Sequence, residues 1–319
     1  MLNFGQNNLG NRMSLIPLHY LNSVVSIEVA NIDNKGHTQM RSIATGFLVG
    51  KPSGDRNEKN EVLYKLFIVT NRHVYQNQKT FLREVFFRFN TQDDKSHYFK
   101  VNLLKDDGNP LWLMHKNEKV DLAILPINDE VINAAKIKYY FFHGEDLFYA
   151  KDFGAKNIST GDGLFVLGFP MSIRGKARNF VIVRQGIIAR VDEEVLEDAF
   201  FYIDASAYPG NSGGPVIHKP EIVAITGTHS NSSAGLIGVI SSGETYSDAA
   251  ISQQTGEPRI IFTEQTGLVR VVPVELIFEI IDKIMSNPKV QEAKVYDVGH
   301  EEASAQIEPA KDDDLNKNL

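Results

Sequence analysis

One short run in the sequence has the composition for covalent chemistry: Gly210-Asn211-Ser212-Gly213-Gly214-Pro215. A serine hydroxyl that attacks a carbonyl needs a backbone folded tightly around it. The flanking glycines accept conformations that other residues resist. In such a turn the N–H groups of Gly210 and Ser212 can converge on a developing oxyanion. A Gly-rich turn between two strands is the alternative reading of the same letters. A nucleophilic serine also needs a base. Of the nine histidines, His73 follows the apolar run Leu66–Thr70, where a strand can deliver it to a cleft. His97 and His115 sit in charged, loop-like surroundings, and His143, His218 and His229 have no comparable strand before them. A lone histidine is more often structural than catalytic, so context selects it. The base in turn needs a carboxylate that fixes its tautomer. Asp121 stands immediately before the apolar run Leu122–Leu125. A carboxylate at the mouth of such a strand is costly to bury unless it is hydrogen-bonded, and an imidazole N–H meets that need. Asp93, Asp94, Asp106, Asp107 and Asp129 read better as solvated turn residues.

These three side chains need a scaffold that brings distant segments together, and the sequence texture is β. From Val24 onward, short runs rich in Val, Ile and Phe alternate with Gly, Asn and Asp breaks, which predicts a barrel or sandwich of many short strands. Pro215–Ile217 and Ile222–Thr226 read as two such strands after the serine. One segment is helical: beyond Pro273, at the expected first helical position, Ile277, Ile280, Ile281 and Ile284 recur on one face. His229–Pro258 is rich in Ser, Gly and Thr and is too long for an ordinary connection, so it reads as a functional loop or an extra hairpin. From residue 288 to 319 the apolar pattern is lost and acids dominate after His300, which predicts a solvated, disordered tail.

Composition narrows the function classes. The 319 residues are 42% hydrophobic, enough for a substantial core. There is no cysteine, which excludes disulfides, thiolate zinc sites, iron–sulfur clusters and a cysteine nucleophile. The net charge of -7 argues against nucleic-acid binding. No run approaches the ~20 apolar residues of a membrane span. The Asn- and Gly-rich start, Met1 to Arg12, lacks the pattern of a signal peptide, so a cytoplasmic location is expected. No His-Glu-x-x-His spacing, phosphate loop or dinucleotide fingerprint occurs, and no metal or cofactor is expected.

The chain order His73, Asp121, Ser212 is that of chymotrypsin-type enzymes, not of subtilisins or α/β-hydrolases. Taken with the neighbouring motifs, the chain resembles a trypsin-like serine protease, closest to the bacterial HtrA-like branch. Thr45-Gly46-Phe47-Leu48-Val49 is similar to the family's strand before the histidine. Val69-Thr70-Asn71-Arg72-His73-Val74 and Val120-Asp121-Leu122-Ala123-Ile124-Leu125 resemble its histidine and aspartate motifs. Leu167-Gly168-Phe169-Pro170 and Gly186-Ile187-Ile188 resemble the start of its second barrel, and Ile203-Asp204-Ala205 leads into the nucleophile run. The resemblance covers roughly residues 20–287. It implies an all-β fold of two antiparallel six-stranded β-barrels of the chymotrypsin type with a C-terminal α-helix and an active site in the cleft between the barrels. The expected boundaries are an N-terminal extension at 1–19, a first barrel at about 20–145, a second at about 155–272, a helix at 273–286 and the tail at 288–319.

The resemblance further implies a serine endopeptidase acting on polypeptide substrates, with Gly210 and Ser212 as oxyanion hole. Ser206, six before Ser212, would sit at the base of the primary substrate pocket, Ala207 and Tyr208 along its wall, and Thr226 and Gly227 near it. No carboxylate appears among them, so an uncharged residue is expected before the scissile bond. Asn211 occupies the place where secreted trypsins carry an Asp that pairs with a freed N-terminus, so no pro-peptide activation is expected. The residues after Asn287 are too few for a PDZ domain. Three other readings remain open: a protease fold that binds peptides without cutting, an enzyme switched on by a regulatory protein partner, and an esterase of small molecules.

Overall fold

The computed structural model describes residues 14–32, 37–77, 80–221, 223, 225–287 and 290–300. Their strands are β1 (Val24–Ile32), β2 (Thr38–Arg56), β3 (Val62–Thr70), β4 (Gln76–Asn77), β5 (Thr80–Phe81), β6 (Glu84–Asn90), β7 (Ser96–Asn102), β8 (Leu113–Met114), β9 (Ala123–Ile127), β10 (Gly163–Gly168), β11 (Ile182–Arg190), β12 (Phe201–Asp204), β13 (Pro215–His218), β14 (Gly235–Ile251), β15 (Pro258–Pro273) and β16 (Val295–Gly299). Helices α1 (Arg72–Tyr75), α2 (Asp129–Ala134), α3 (Glu193–Glu197) and α4 (Val274–Met285) complete the set.

Apart from the two-stranded β4–β5 ribbon, the strands divide into two bodies. The second is a closed barrel in the order β10-β11-β12-β15-β14-β13, six strands as expected. The first is a curled sheet of eight strands in the order β16-β7-β6-β1-β2-β3-β9-β8. Its two additional members are the two-residue β8 and β16, which joins from the far end of the chain. The apolar residues sort by strand alternation. Leu48 on β2 and Leu66 and Ile68 on β3 fill the first body. Their neighbours Phe47, Val49, Phe67 and Val69 face the other way, into a core shared with the second. A strand covered on both faces reads as an unbroken apolar run, and Leu66–Thr70 does. The interior of the second barrel is filled by Leu164, Val166, Ile203, Val216, Ile237 and Val271 among others.

Helix α4 seals the shared core. Its Ile277, Ile280, Ile281 and Ile284 are buried against Phe165, Leu167 and Val239 of the second barrel and Leu122 and Ile124 of the first. Pro273 caps the helix rather than beginning it, with φ −63° and ψ 152°. The four isoleucines lie on one stripe because the helix repeats every 3.6 residues. No helix among the described residues is long and apolar enough to cross a membrane.

Two segments differ from the sequence reading. The stretch 229–258 is part barrel and part hairpin: Gly235–Ile251 is β14, whose first half is an integral barrel strand. Beyond the barrel β14 and β15 continue as a two-stranded arm, from Thr245 opposite Gln265 to Ile251 opposite Pro258. Ile251, Ile260, Ile261 and Phe262 on this arm are more than half exposed. Serine and glycine content concealed the apolar run Leu236–Ile240, which carries the strand. At the C-terminus, residues 290–300 are not a free tail. Ala293 N–H donates to the Pro126 carbonyl at 3.0 Å, and β16 pairs antiparallel with β7. The remainder of the expected tail, 301–319, lies outside the described residues, as does most of the N-terminal extension.

The shared core predicts that truncating α4 weakens the whole molecule. Ile281→Ala, at a site with no solvent exposure, should lower the unfolding free energy by about 2–5 kcal/mol. Denaturant unfolding followed by circular dichroism measures this, and a loss under about 0.5 kcal/mol, the scale of ordinary surface changes, would show that the helix does not bind the barrels together.

Candidate active site

The pairing of β3 with β9 explains how residues far apart in sequence meet. Thr70, the last residue of β3, lies opposite Ala123, the first of β9. His73 is three residues past that strand end, and Asp121 two residues before its partner begins. The single turn α1 then aims the imidazole back at the carboxylate. His73 Nδ1 lies 2.7 Å from Asp121 Oδ2, and the His73 backbone N–H donates to Asp121 Oδ1 at 3.1 Å. Asn71 Nδ2 donates to the Asp121 carbonyl at 2.8 Å and fixes the same corner.

A carboxylate accepts, so Nδ1 is the nitrogen that carries its proton toward Asp121, which in a neutral imidazole leaves the lone pair on Nε2. Burial works to raise the Asp121 carboxyl; the bonds and charge of His73, with help from Ser241, outweigh it and hold Asp121 below its ordinary value. The residue stays ionised where the imidazolium would need it. The His73 side chain is half exposed, at 50%, and so stands open to a reactant.

Ser241 was not anticipated. Its hydroxyl donates to Asp121 Oδ2 at 3.1 Å, a bond from the second barrel to the first. It lies on β14, inside the stretch whose composition suggested a loop. The usable signal was the run Leu236–Ile240 ending in Ser-Ser-Gly, a buried strand closing on polar residues.

The turn carrying Ser212 is pressed against the first body. Thr45 N–H donates to the Ser212 carbonyl at 3.0 Å. Gly213 has φ +79°, and a Cβ there would lie 2.1 Å from Thr70 Oγ1 and 2.3 Å from the Thr45 carbonyl oxygen. Only glycine fits that gap and that dihedral. Gly213 N–H donates to the Ile240 carbonyl and Gly214 N–H to that of Asn211. The turn carrying Ser212 thus rests on Thr70, the strand end that launches His73. The Ser212 hydroxyl and His73 Nε2 form no hydrogen bond with each other. Catalytic hydrogen bonds commonly close only around substrate. Among the described residues, the N–H groups of Gly210 and Ser212 are likewise uncommitted, while those of Asn211, Gly213 and Gly214 are bonded within the fold. Asn211 is buried beneath the turn, and its Nδ2 has no hydrogen-bond partner.

The expected pocket residues separate into two groups. Ser206, Ala207 and Tyr208 follow β12 and lead directly into the turn, with Asn211 N–H donating to the Tyr208 carbonyl at 3.0 Å. Tyr208 carries the Arg184 guanidinium 5.0 Å from its ring centre. Thr226 and Gly227 do not join them. They lie in an exposed turn of the connection between β13 and β14, beyond His218, where β13 has already run away from Ser212. Ile222 and Ala224, part of the strand expected at Ile222–Thr226, lie outside the described residues. The chain returns to the nucleophile only at Ile240–Gly243, and Gly267 of β15 completes that side, its carbonyl accepting from Ala205 N–H at 3.1 Å. Gly243 and Gly267 carry no side chains themselves; the Gln265 side chain lies over Gly243, and Asp204 Oδ1 lies 3.5 Å from where a Gly267 Cβ would be.

A family model described as "Trypsin-like peptidase domain" matches residues 44–225, more than half of the chain. No curated protein matches it.

The lowered Asp121 carboxyl has a measurable consequence. A group depressed in the folded state adds stability above its unfolded value, near pH 4, and loses it as pH falls through the folded value. The difference in unfolding free energy between wild type and Asp121→Asn should therefore shrink as acid takes the pH below the ordinary carboxylate range. Urea unfolding across a pH series tests it; a difference that persists undiminished below about pH 2 would contradict the ionised pair.

Proposed function

Because the chain belongs to the trypsin-like peptidase family, we propose that it is a serine endopeptidase that cuts polypeptides through His73, Asp121 and Ser212. The observation that carries this reading is the imidazole tied to a carboxylate at 2.7 Å beside a glycine-framed serine turn. His73 Nε2 takes the Ser212 proton as the hydroxyl attacks the scissile carbonyl. The Gly210 and Ser212 N–H groups receive the oxyanion, in a site where preorganised donors cost no reorganisation. The protonated His73, stabilised by Asp121, then delivers its proton to the leaving amine. An acyl-enzyme remains on Ser212. Water, deprotonated by the same imidazole, releases it.

Ser206, Ala207 and Tyr208 on one side, and Gly243 and Gly267 on the other, bound the proposed substrate pocket. None carries a carboxylate, which supports an uncharged residue before the cleaved bond. The motifs around the triad support placement near the bacterial HtrA-like branch, and a cytoplasmic site of action is part of the same proposal. A second reading is a protease fold held silent until a regulatory partner or a substrate arrives. The open contact between Ser212 and His73 favours it.

Fluorophosphonate labelling of purified protein distinguishes the two readings, and lysate provides the partner-containing control. Wild type should label at Ser212 and hydrolyse peptides, Ser212→Ala should lose about 10⁶ in kcat, and Asp121→Asn about 10⁴. Near-normal turnover by Ser212→Ala would end the proposal. Labelling in lysate but not in isolation would select the partner-dependent form.

A further inference from the structure

The segment between β10 and β11 is covalently part of the second barrel but is anchored on the first. It starts beside the nucleophile turn. Met171 N–H donates to the Pro209 carbonyl at 2.7 Å. In a planar trans peptide the carbonyl and the following N–H point in opposite directions. Met171 therefore holds the Pro209–Gly210 peptide with the Gly210 N–H turned away from the segment. The other side of Gly210 is held too: Thr45 Oγ1 donates to the Gly210 carbonyl at 2.6 Å and accepts from Phe169 N–H at 3.1 Å.

This hold depends on an unfavourable backbone. Met171 has φ +51° and ψ +32°, and Ser172 has φ +60°. Side chains other than glycine resist that region. Such a conformation persists only where its surroundings impose it. The surroundings here come from β1, β2 and β6. Ser172 Oγ donates to the Ser42 carbonyl at 2.7 Å. Arg174 donates to the Met40 carbonyl at 2.7 Å, and its Nε lies 2.8 Å from Oε1 of Glu28, a carboxylate with no solvent exposure. Arg88, also wholly buried, inserts into the curve of the segment. It donates to the carbonyls of Arg174, Gly175 and Lys176 and to Asn179 Oδ1, over 2.8–3.3 Å. Burying two guanidinium groups and a carboxylate is costly, and here the groups converge on one strap.

We infer that Arg88 and the Glu28–Arg174 pair are positioning residues for the oxyanion hole: from the first body they fix the strap, whose Met171 N–H fixes the Gly210 peptide in the second. Charge removed from the strap's anchor relaxes residues 171–172 out of the left-handed region, frees the Pro209 carbonyl and lets the Gly210 N–H turn from the cleft. The inference rests on Gly210 being an oxyanion donor in the reaction proposed above.

The test uses the full chain and two anchor variants. Glu28→Gln/Arg174→Gln removes both charges of the pair together, and Arg88→Lys keeps the charge but loses the fork. Peptide hydrolysis is measured per folded molecule, with folding checked by thermal unfolding. The double variant should lose about 10²–10³ in kcat, the scale of one oxyanion donor, with KM changed less than about threefold. Arg88→Lys should fall in the same direction. Adding Met171→Gly, which makes the left-handed conformation free of strain, should restore at least about tenfold of kcat. A merely structural role would leave kcat per folded molecule unchanged in both variants and give no rescue, and that result overturns the inference while wild type remains active. A wild type inert toward both peptide and fluorophosphonate overturns the peptidase reading itself, and this inference with it.

Discussion

The arrangement depends on Thr45, a wholly buried residue of β2 whose polar groups are all engaged at the junction of the two bodies. Its N–H holds the Ser212 carbonyl, its own carbonyl accepts the Thr70 hydroxyl, and its hydroxyl joins Phe169 to Gly210. A buried polar group left unsatisfied costs more than a satisfied one gains. The two bodies therefore have a single favourable way to abut, and the serine turn and the histidine strand end meet there. The close fit of Gly213 against Thr45 and Thr70 enforces the same register sterically.

Around that junction the two bodies divide the labour. The first supplies His73, Asp121 and the anchors of the strap. The second supplies the nucleophile turn, the Ser206–Tyr208 segment and Ser241. Bonds cross in both directions, from Thr45 to Ser212 and from Ser241 to Asp121. Buried apolar side chains from both bodies and from α4 hold the halves together. The apolar core supplies cohesion, and a few directional bonds supply alignment.

The parts legible in the sequence were those governed by local rules. Glycine spacing exposed the Ser212 turn because only glycine tolerates its dihedrals. Unbroken apolar runs exposed β3 and β9, and with them the approach of His73 to Asp121. The isoleucine stripe exposed α4. What stayed hidden was set by pairing at a distance. Composition hid β14 because its apolar half is short and its outer half is a solvent-facing arm of Ser, Thr and charged residues; with it went Ser241 and the return of the chain to the Ser212 turn at Ile240. β16 was invisible because Val295–Gly299 has little apolar content of its own and gains its place from the backbone edge of β7. The anchors Glu28 and Arg88 lie in runs whose neighbours are apolar, and no local pattern says that their charges are buried.

The placement of β16 bears on how such a chain is made. Val295 pairs with Val101, 194 positions earlier in the sequence. At ~5–20 residues per second of synthesis, the edge of β7 waits on the order of 10–40 s for its neighbour. During that interval a nascent first body presents an open row of backbone donors and acceptors, the feature that invites promiscuous strand addition. The strand that closes this sheet is thus made only after the whole second barrel and α4.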